Sequence, residues 1–204
     1  MRLYHHPMST NSRRARMAAI ALGLELDLVL VDLSKGEHKR PEFLRLNPNG
    51  RVPVLEDDGF YLDESHAIMQ YLAERTPGQS LLPAAAQARA DVSRWMFWSA
   101  QHFQPAVSVL RWEHVVKPLL GRGPADAKEV ERGERLFGEC ATVLEARLAR
   151  ETWVAQGALT LADLALAASL TLPERARLPL DPYPGIRAWF ERVRELPAWK
   201  RTDV

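Results

Sequence analysis

Asn47-Pro48-Asn49-Gly50-Arg51-Val52-Pro53-Val54-Leu55, followed shortly by Glu64-Ser65, decides how this chain folds. A proline in an apolar run removes a ladder donor, so Pro53 cannot sit in the middle of a central strand. It fits at the first residue of a strand, after an X-Pro bond that can be cis. Val52 then turns its N–H and C=O outward, where an extended peptide can pair with them as an added strand. Gly59 closes a turn between the short β-rich runs 54–56 and 60–62, a hairpin pattern. Asp63-Glu64-Ser65 opens the periodic apolar run Ile68, Met69, Tyr71, Leu72. Ser65 and the bare N–H groups of that first helical turn make a site for a carboxylate. A backbone clamp beside a carboxylate site suits a short acidic peptide.

Outward from that stretch, Arg2-Leu3-Tyr4-His5 and 26–31 read as strands, with a helix from about 10 to 22 between them. Gly23 stands where a helix C-terminus favours glycine. The order is βαβ with a parallel pair, then the hairpin and a helix over 65–74, giving βαβ-ββα. Thr76-Pro77-Gly78-Gln79-Ser80 and Pro83 are punctuation. The chain therefore divides into an α/β domain over 1–77, a linker over 78–84 and an all-helical domain over 85–204. In the latter, 84–120 reads as one long helix that Pro105 must kink or break. Gly121-Arg122-Gly123-Pro124 is a turn and 127–150 an amphipathic helix. Thr160-Leu161-Ala162-Asp163 has capping-box spacing ahead of 164–172, which is apolar nearly all round, as in a buried helix. A last helix starts at Pro184, presents Ile186, Trp189, Phe190 and Val193, and ends at Pro197.

Composition narrows the function. With 204 residues, 47% of them hydrophobic, the chain can bury one or two substantial cores. A net charge of +1 without a basic tail argues against nucleic acid and anionic membrane as partners. A single cysteine, Cys140, excludes an internal disulfide and suits a reducing cytosol. No apolar run approaches the roughly 18 residues of a membrane span. The N-terminus enters a strand without a signal-peptide pattern, so a cytoplasmic location is expected. His5 and His6 alternate faces on a strand and cannot chelate one metal; no zinc-site spacing occurs, and no metal is expected. Arg13, Arg14 and Arg16 read as a solvated helix face, and Cys140 as a small buried residue. Trp95, Trp98 and Phe103 recur at helical spacing as core, and Tyr4 is a core strand residue.

Three segments of the first half, Gly36-Glu37-His38-Lys39-Arg40-Pro41-Glu42-Phe43, then 47–55, then Leu62-Asp63-Glu64-Ser65-His66-Ala67-Ile68, resemble the cytosolic glutathione transferases. Thr160-Leu161-Ala162-Asp163 and Pro184-Gly185-Ile186-Arg187-Ala188-Trp189 continue the resemblance in the expected order. The Ser-rich turn after the first strand is most similar to serine-type classes such as phi and zeta. The resemblance implies a thioredoxin-like N-terminal domain that binds glutathione as co-substrate, and an all-α C-terminal helical bundle. It also implies a homodimer, no metal, and a pocket for a small hydrophobic electrophile lined by the helix after the linker. Phe97, Gln101, Gln104 and Trp112 are the pocket candidates.

Met8-Ser9-Thr10-Asn11-Ser12 lies at the start of the first helix, where the helix terminus stabilises a thiolate. By position against the serine-type pattern, Ser9 is the hydroxyl that donates to the sulfur, with Thr10, Asn11 and Ser12 as alternatives. The same hydroxyls could simply cap the helix. The resemblance places His38, Lys39 and Arg51 at the glycyl carboxylate, Val52 on the cysteinyl backbone with Pro53 fixing it, and Ser65 at the γ-glutamyl carboxylate. It puts Glu64 toward the ammonium. Without the resemblance, His38, Lys39 and Arg51 read equally as a solvated loop, and Glu64-Ser65 as an ordinary helix start. The implied reaction adds the thiolate to a hydrophobic electrophile. A glutathione-dependent peroxidase or disulfide reductase, and a non-catalytic interaction module, are the alternatives on the same fold.

Overall fold

Strand β1 (Arg2–His5) runs at the centre of a mixed sheet, and its alternation assigns a helix layer to each face. The computed structural model describes residues 1–203. Helix α1 (Thr10–Ala21) leads to β2 (Asp27–Leu30), which pairs parallel with β1, Leu3 opposite Leu28. A short helix α2 (Pro41–Leu44) precedes β3 (Val54–Asp57) and β4 (Phe60–Leu62), then α3 (Ser65–Glu74). The strand order is β2-β1-β3-β4, with β3 antiparallel to both β1 and β4. Gly23 takes φ 72° after the α1 C-cap, and Asp58-Gly59 turn the hairpin at φ 49° and 84°. The βαβ-ββα order read from the sequence is thus the order found.

Leu3 and Leu55 pack with Ala15 and Ala19 of α1 and Ile68 and Leu72 of α3. On the other face Val54 joins Val31, Val52 and Phe43 of α2, with Tyr4 at its margin. Tyr4 also donates its hydroxyl to Glu56 Oε2 at 2.9 Å, which ties it to the sheet.

The solvated face expected for Arg13, Arg14 and Arg16 is not what forms. Arg13 and Arg14 are 1% and 0% exposed, and Arg16 is half-buried. Arg13 lies 3.6 Å over the Trp199 ring and donates to Trp199 O, Thr202 Oγ1 and Asp203 Oδ1, each at 3.3 Å. Those partners explain a second correction. Residues 196–203 do not belong to the helical domain predicted over 85–204; they return to the first unit, which comprises 1–82 and 196–203. Pro197 therefore does not end the preceding helix, which closes at Arg194; it opens α10 (Pro197–Lys200), packed on α1.

The second unit spans Pro83–Glu195 and is helical. Its first rod is helical on both sides of Pro105. Helix α4 (Ala86–Trp98) passes through a wide turn at Ser99–Phe103 into α5 (Gln104–Arg111), then through another at Trp112–Val116 into α6 (Lys117–Leu119). Gln104 N–H reaches back to Ser99 C=O, and Lys117 N–H to Trp112 C=O, just ahead of Pro105 and Pro118. Widened turns make room for a ring that would otherwise strike the carbonyl four residues back.

Helix α7 (Ala127–Leu148) packs against α5 and α9 (Pro184–Arg194). Glu145 of α7 caps α9, accepting from Gly185 N–H at 2.8 Å and Ile186 N–H at 2.9 Å. At the centre, every residue of α8 (Leu161–Ser169) is buried, as its all-round apolar sequence requires. Asp163 anchors it. Its carboxylate accepts from Val154 N–H at 2.8 Å, Thr160 N–H at 2.9 Å, Thr160 Oγ1 at 3.0 Å and the Trp189 indole at 2.9 Å. Trp95 and Phe103 are buried as read from their spacing; Trp98 is half-buried and stacks on Phe103.

Asp163→Ala leaves several buried donors without an acceptor, each worth about 1–3 kcal/mol. The expected loss of stability is roughly 3 kcal/mol or more, measured as a fall in the urea midpoint at unchanged slope.

Candidate active site

The turn between β1 and α1 is held by its own side chains. Ser9 is the N-cap of α1, with φ −84° and ψ 116°, and its Oγ accepts from Ser12 N–H at 3.2 Å. Ser12 Oγ accepts in turn from His6 N–H at 3.3 Å, and Met8 N–H donates to His6 Nδ1 at 3.2 Å. Capping and ligand contact do not compete at Ser9. Its oxygen receives the backbone N–H while its own proton stays available, since a hydroxyl offers one donor and two lone pairs. Ser12 is 0% exposed and Thr10 9%, whereas Ser9 and Asn11 keep accessible surface.

The loop before β3 supplies the facing wall. Asn47 is buried and organises it, donating Nδ2 to Arg51 C=O at 2.8 Å and accepting Asn49 N–H at 2.9 Å. Gly50 is required twice over: its φ is +60°, and an added Cβ would lie 2.8 Å from His38 C=O and 2.9 Å from Lys39 Nζ. The Val52-Pro53 bond is cis, as expected. The Val52 side chain is buried against Phe43 and Val31, and its backbone lies outside the β1–β3 ladder. Ser9, Leu33, His38, Lys39, Gly50, Arg51 and Val52 line one open cavity of about 290 Å³. His38 sits in the single 3-10 turn Glu37–Lys39, and burial together with neighbouring Lys39 lowers its pKa.

Glu64 and Ser65 stand outside that lining. Glu64 is exposed and holds φ 61°, ψ 104° as the residue preceding α3. A non-glycine residue in that region is strained by about 1–3 kcal/mol and is characteristic of ligand sites. Ser65 is 4% exposed. Its Oγ accepts from Arg14 Nη1 at 2.9 Å, and the same nitrogen donates to Asn11 Oδ1 at 2.6 Å. Neighbouring His66 is held neutral by burial and by Arg14, its pKa lowered to about 3, and its Nε2 has no hydrogen-bond partner among the described residues.

The sequence matches a known family along most of the chain. Residues 1–74 match the family described as "Glutathione S-transferase, N-terminal domain" and residues 100–197 "Glutathione S-transferase, C-terminal domain". The chain belongs to the glutathione transferase family. Glutathione S-transferase 3 of Zea mays is 39% identical to it over 99% of this chain and 92% of that protein. The solved structure of glutathione S-transferase I bound with lactoylglutathione superposes with TM-score 0.89 at 31% identity, covering 98% of this chain and 97% of the other. A glutathione S-transferase of Pseudomonas fluorescens gives TM-score 0.86 at 30% identity, covering 97% and 96%.

In this transferase the structure brings Ser9, His38, Lys39, Arg51 and Val52 to one cavity and links Ser65 to α1 through Arg14. In the second unit, Phe97 is 62% and Trp112 38% exposed, Gln101 is exposed and Gln104 half-buried. Cys140 is half-buried, and burial with Glu139 raises its pKa, which disfavours the thiolate. Asn47 was not singled out from the sequence, and Arg14 was read there only as part of a solvated helix face. Asn47 carried a signal, since Asn-Pro-Asn-Gly is a run of turn formers; Arg14 carried none.

Gly50→Ala is expected to destabilise the protein by about 1–3 kcal/mol, combining a left-handed backbone penalty with the contact on His38 C=O. A melting temperature within a degree of the parent would show that this loop is not pinned as described.

Proposed function

We propose that this glutathione transferase binds the tripeptide extended along Val52, ionises its thiol at Ser9 and adds the thiolate to a hydrophobic electrophile. One observation carries it. Ser9 faces the same cavity as the basic residues His38, Lys39 and Arg51, with its oxygen already occupied by Ser12 N–H. The hydroxyl is therefore left as a donor, and a donor at a helix N-terminus favours RS⁻ over RSH.

His38, Lys39 and Arg51 take the glycyl carboxylate, Val52 pairs with the cysteinyl backbone while cis-Pro53 shapes the turn, and Glu64 and Ser65 take the γ-glutamyl ammonium and carboxylate. The thiolate sulfur forms the new carbon–sulfur bond as the electrophile loses its leaving group or opens its ring. Phe97, Gln101, Gln104 and Trp112 are the residues of the helical unit offered to that electrophile. The protein works as a homodimer in the cytosol.

Calorimetric titration with glutathione, run beside turnover of an aromatic chloride, an epoxide and a hydroperoxide, tests the function. Binding with conjugation is expected; peroxide turnover alone would place the chain among glutathione peroxidases. No binding at millimolar glutathione would leave an interaction module. Ser9→Ala removes a hydrogen bond to a charged group, worth about 1.5–3 kcal/mol. The bound thiol's pKa, followed by thiolate absorbance, is expected to rise by about 1–2 units. An unmoved pKa transfers the role to Thr10, Asn11, Ser12 or a backbone N–H. Light scattering at micromolar concentration is expected to give twice the 23.1 kDa of one chain; a single-chain mass contradicts the dimer.

A further inference from the structure

We propose that the free edge of β2 is a docking site for an extended peptide carrying an apolar residue and, two positions along, a carboxylate; nothing in this depends on glutathione. Strand β2 is an outer strand, paired on one side only, to β1. Asp27 N–H donates to Met1 C=O and Val31 N–H to His5 C=O, so the main-chain groups of the odd-numbered residues face β1. By alternation those of Leu28 and Leu30 face outward, with no partner among the described residues. Sheet edges are ordinarily blunted by lysine, proline or a bulge. Residues 26–31 read Leu-Asp-Leu-Val-Leu-Val, with neither lysine nor proline.

The side chains beside this ladder set what can add to it. Leu28 is in register with Leu3 and Leu30 with His5, so both leucines stand on the α1 face of the sheet. Leu3 is covered by Ala15 and Ala19, whereas Leu28 is 44% and Leu30 58% exposed. A cavity of about 220 Å³ opens there, lined by Ile20, Leu24, Leu26 and Leu28 together with Arg16, Arg201 and Glu25. It shares no lining residue with the cavity at Ser9.

The two guanidinium groups fix the sign of the occupant. Arg16 is half-buried, and its one acceptor among the described residues is Arg201 C=O at 3.5 Å; the Arg201 side chain has none. Burial lowers the Arg16 pKa, the mark of a cation short of compensation. A carboxylate brought in from outside offsets that desolvation, and the single exposed acid of the lining, Glu25, leaves an excess of positive charge. Side chains two apart on a strand share a face, so one segment can seat an apolar group against Leu28 and an acid at Arg16 and Arg201. Main-chain bonds to Leu28 and Leu30 then supply affinity, and the cavity selects the side chains. A free fatty acid would fill the cavity but leave the ladder unpaired. A second copy of β2 fits less well, because its acid, Asp27, alternates to the face opposite the leucines and is bonded to Arg2 at 3.0 Å.

The probe is the pentapeptide acetyl-Thr-Leu-Thr-Glu-Thr-amide, with binding followed by amide hydrogen exchange of the full chain and by calorimetry. Exchange at the Leu28 and Leu30 N–H groups is expected to slow about 10-fold or more, while Asp27 and Val31 change little. The same peptide with Gln for Glu is expected to bind about 5- to 10-fold more weakly, and a fully N-methylated version not at all. Arg16→Gln is expected to remove most of the Glu-over-Gln preference, leaving the Gln peptide within about 3-fold of its affinity for the parent. Unchanged exchange at Leu28 and Leu30 in millimolar peptide overturns the proposal, as does equal binding of the Glu and Gln peptides. If Arg16→Gln does not fold, Leu28→Lys at an exposed side chain carries the test: both peptides are expected to weaken about 10-fold, and unaltered affinity overturns the site. Protection of Leu28 and Leu30 that grows with protein concentration in the absence of peptide would assign the edge to a second copy, and overturn the peptide as its occupant.

Discussion

Two guanidinium groups removed from water on one short helix set the terms for the first unit. A buried cation without partners is disfavoured by several kcal/mol, so each must be surrounded by acceptors for α1 to pack at all. Arg13 finds them in the C-terminal segment, at Trp199, Thr202 and Asp203. Arg14 finds them in Asn11 and Ser65. Helix α1 therefore recruits the end of the chain on one side and the start of α3 on the other, while Ala15 and Ala19 seat it on the sheet.

The site follows from how polar groups are spent. Ser9 and Ser65 both accept from protein donors, one from a backbone N–H and one from a guanidinium. Both are left to donate, which suits the two anionic groups of a γ-glutamyl thiol peptide. The loop before β3 keeps its shape because Asn47 holds it and Gly50 occupies a space where no side chain fits. The Val52 side chain is the anchor, packed with Val31, Phe43 and Val54.

The helical unit solves a different problem. Its central helix α8 has no polar face to offer water, and Asp163 supplies the acceptor that the loop before α8 and the Trp189 indole need. Burial raises the Asp163 pKa, and the hydrogen bonds it accepts oppose that shift. The two prolines of the first rod are absorbed by locally wider turns, so a long helical element survives at positions that ordinarily end one.

Much of this was legible in one dimension. Periodicity and punctuation determined the order of strands and helices, because those signals are local: Gly23 after α1, Gly59 in the hairpin, Thr160 and Asp163 at α8. Proline at 53 marked the start of β3 for the same reason, since its backbone restriction is written in the residue itself. What the sequence could not decide was the fate of long polar side chains. Three arginines at 13, 14 and 16 look solvated on any helical wheel, and only the return of residues 196–203 and the approach of Ser65 make burial of the first two possible. Burial of a charge depends on acceptors far away in the chain, and their arrival is a property of the tertiary fold.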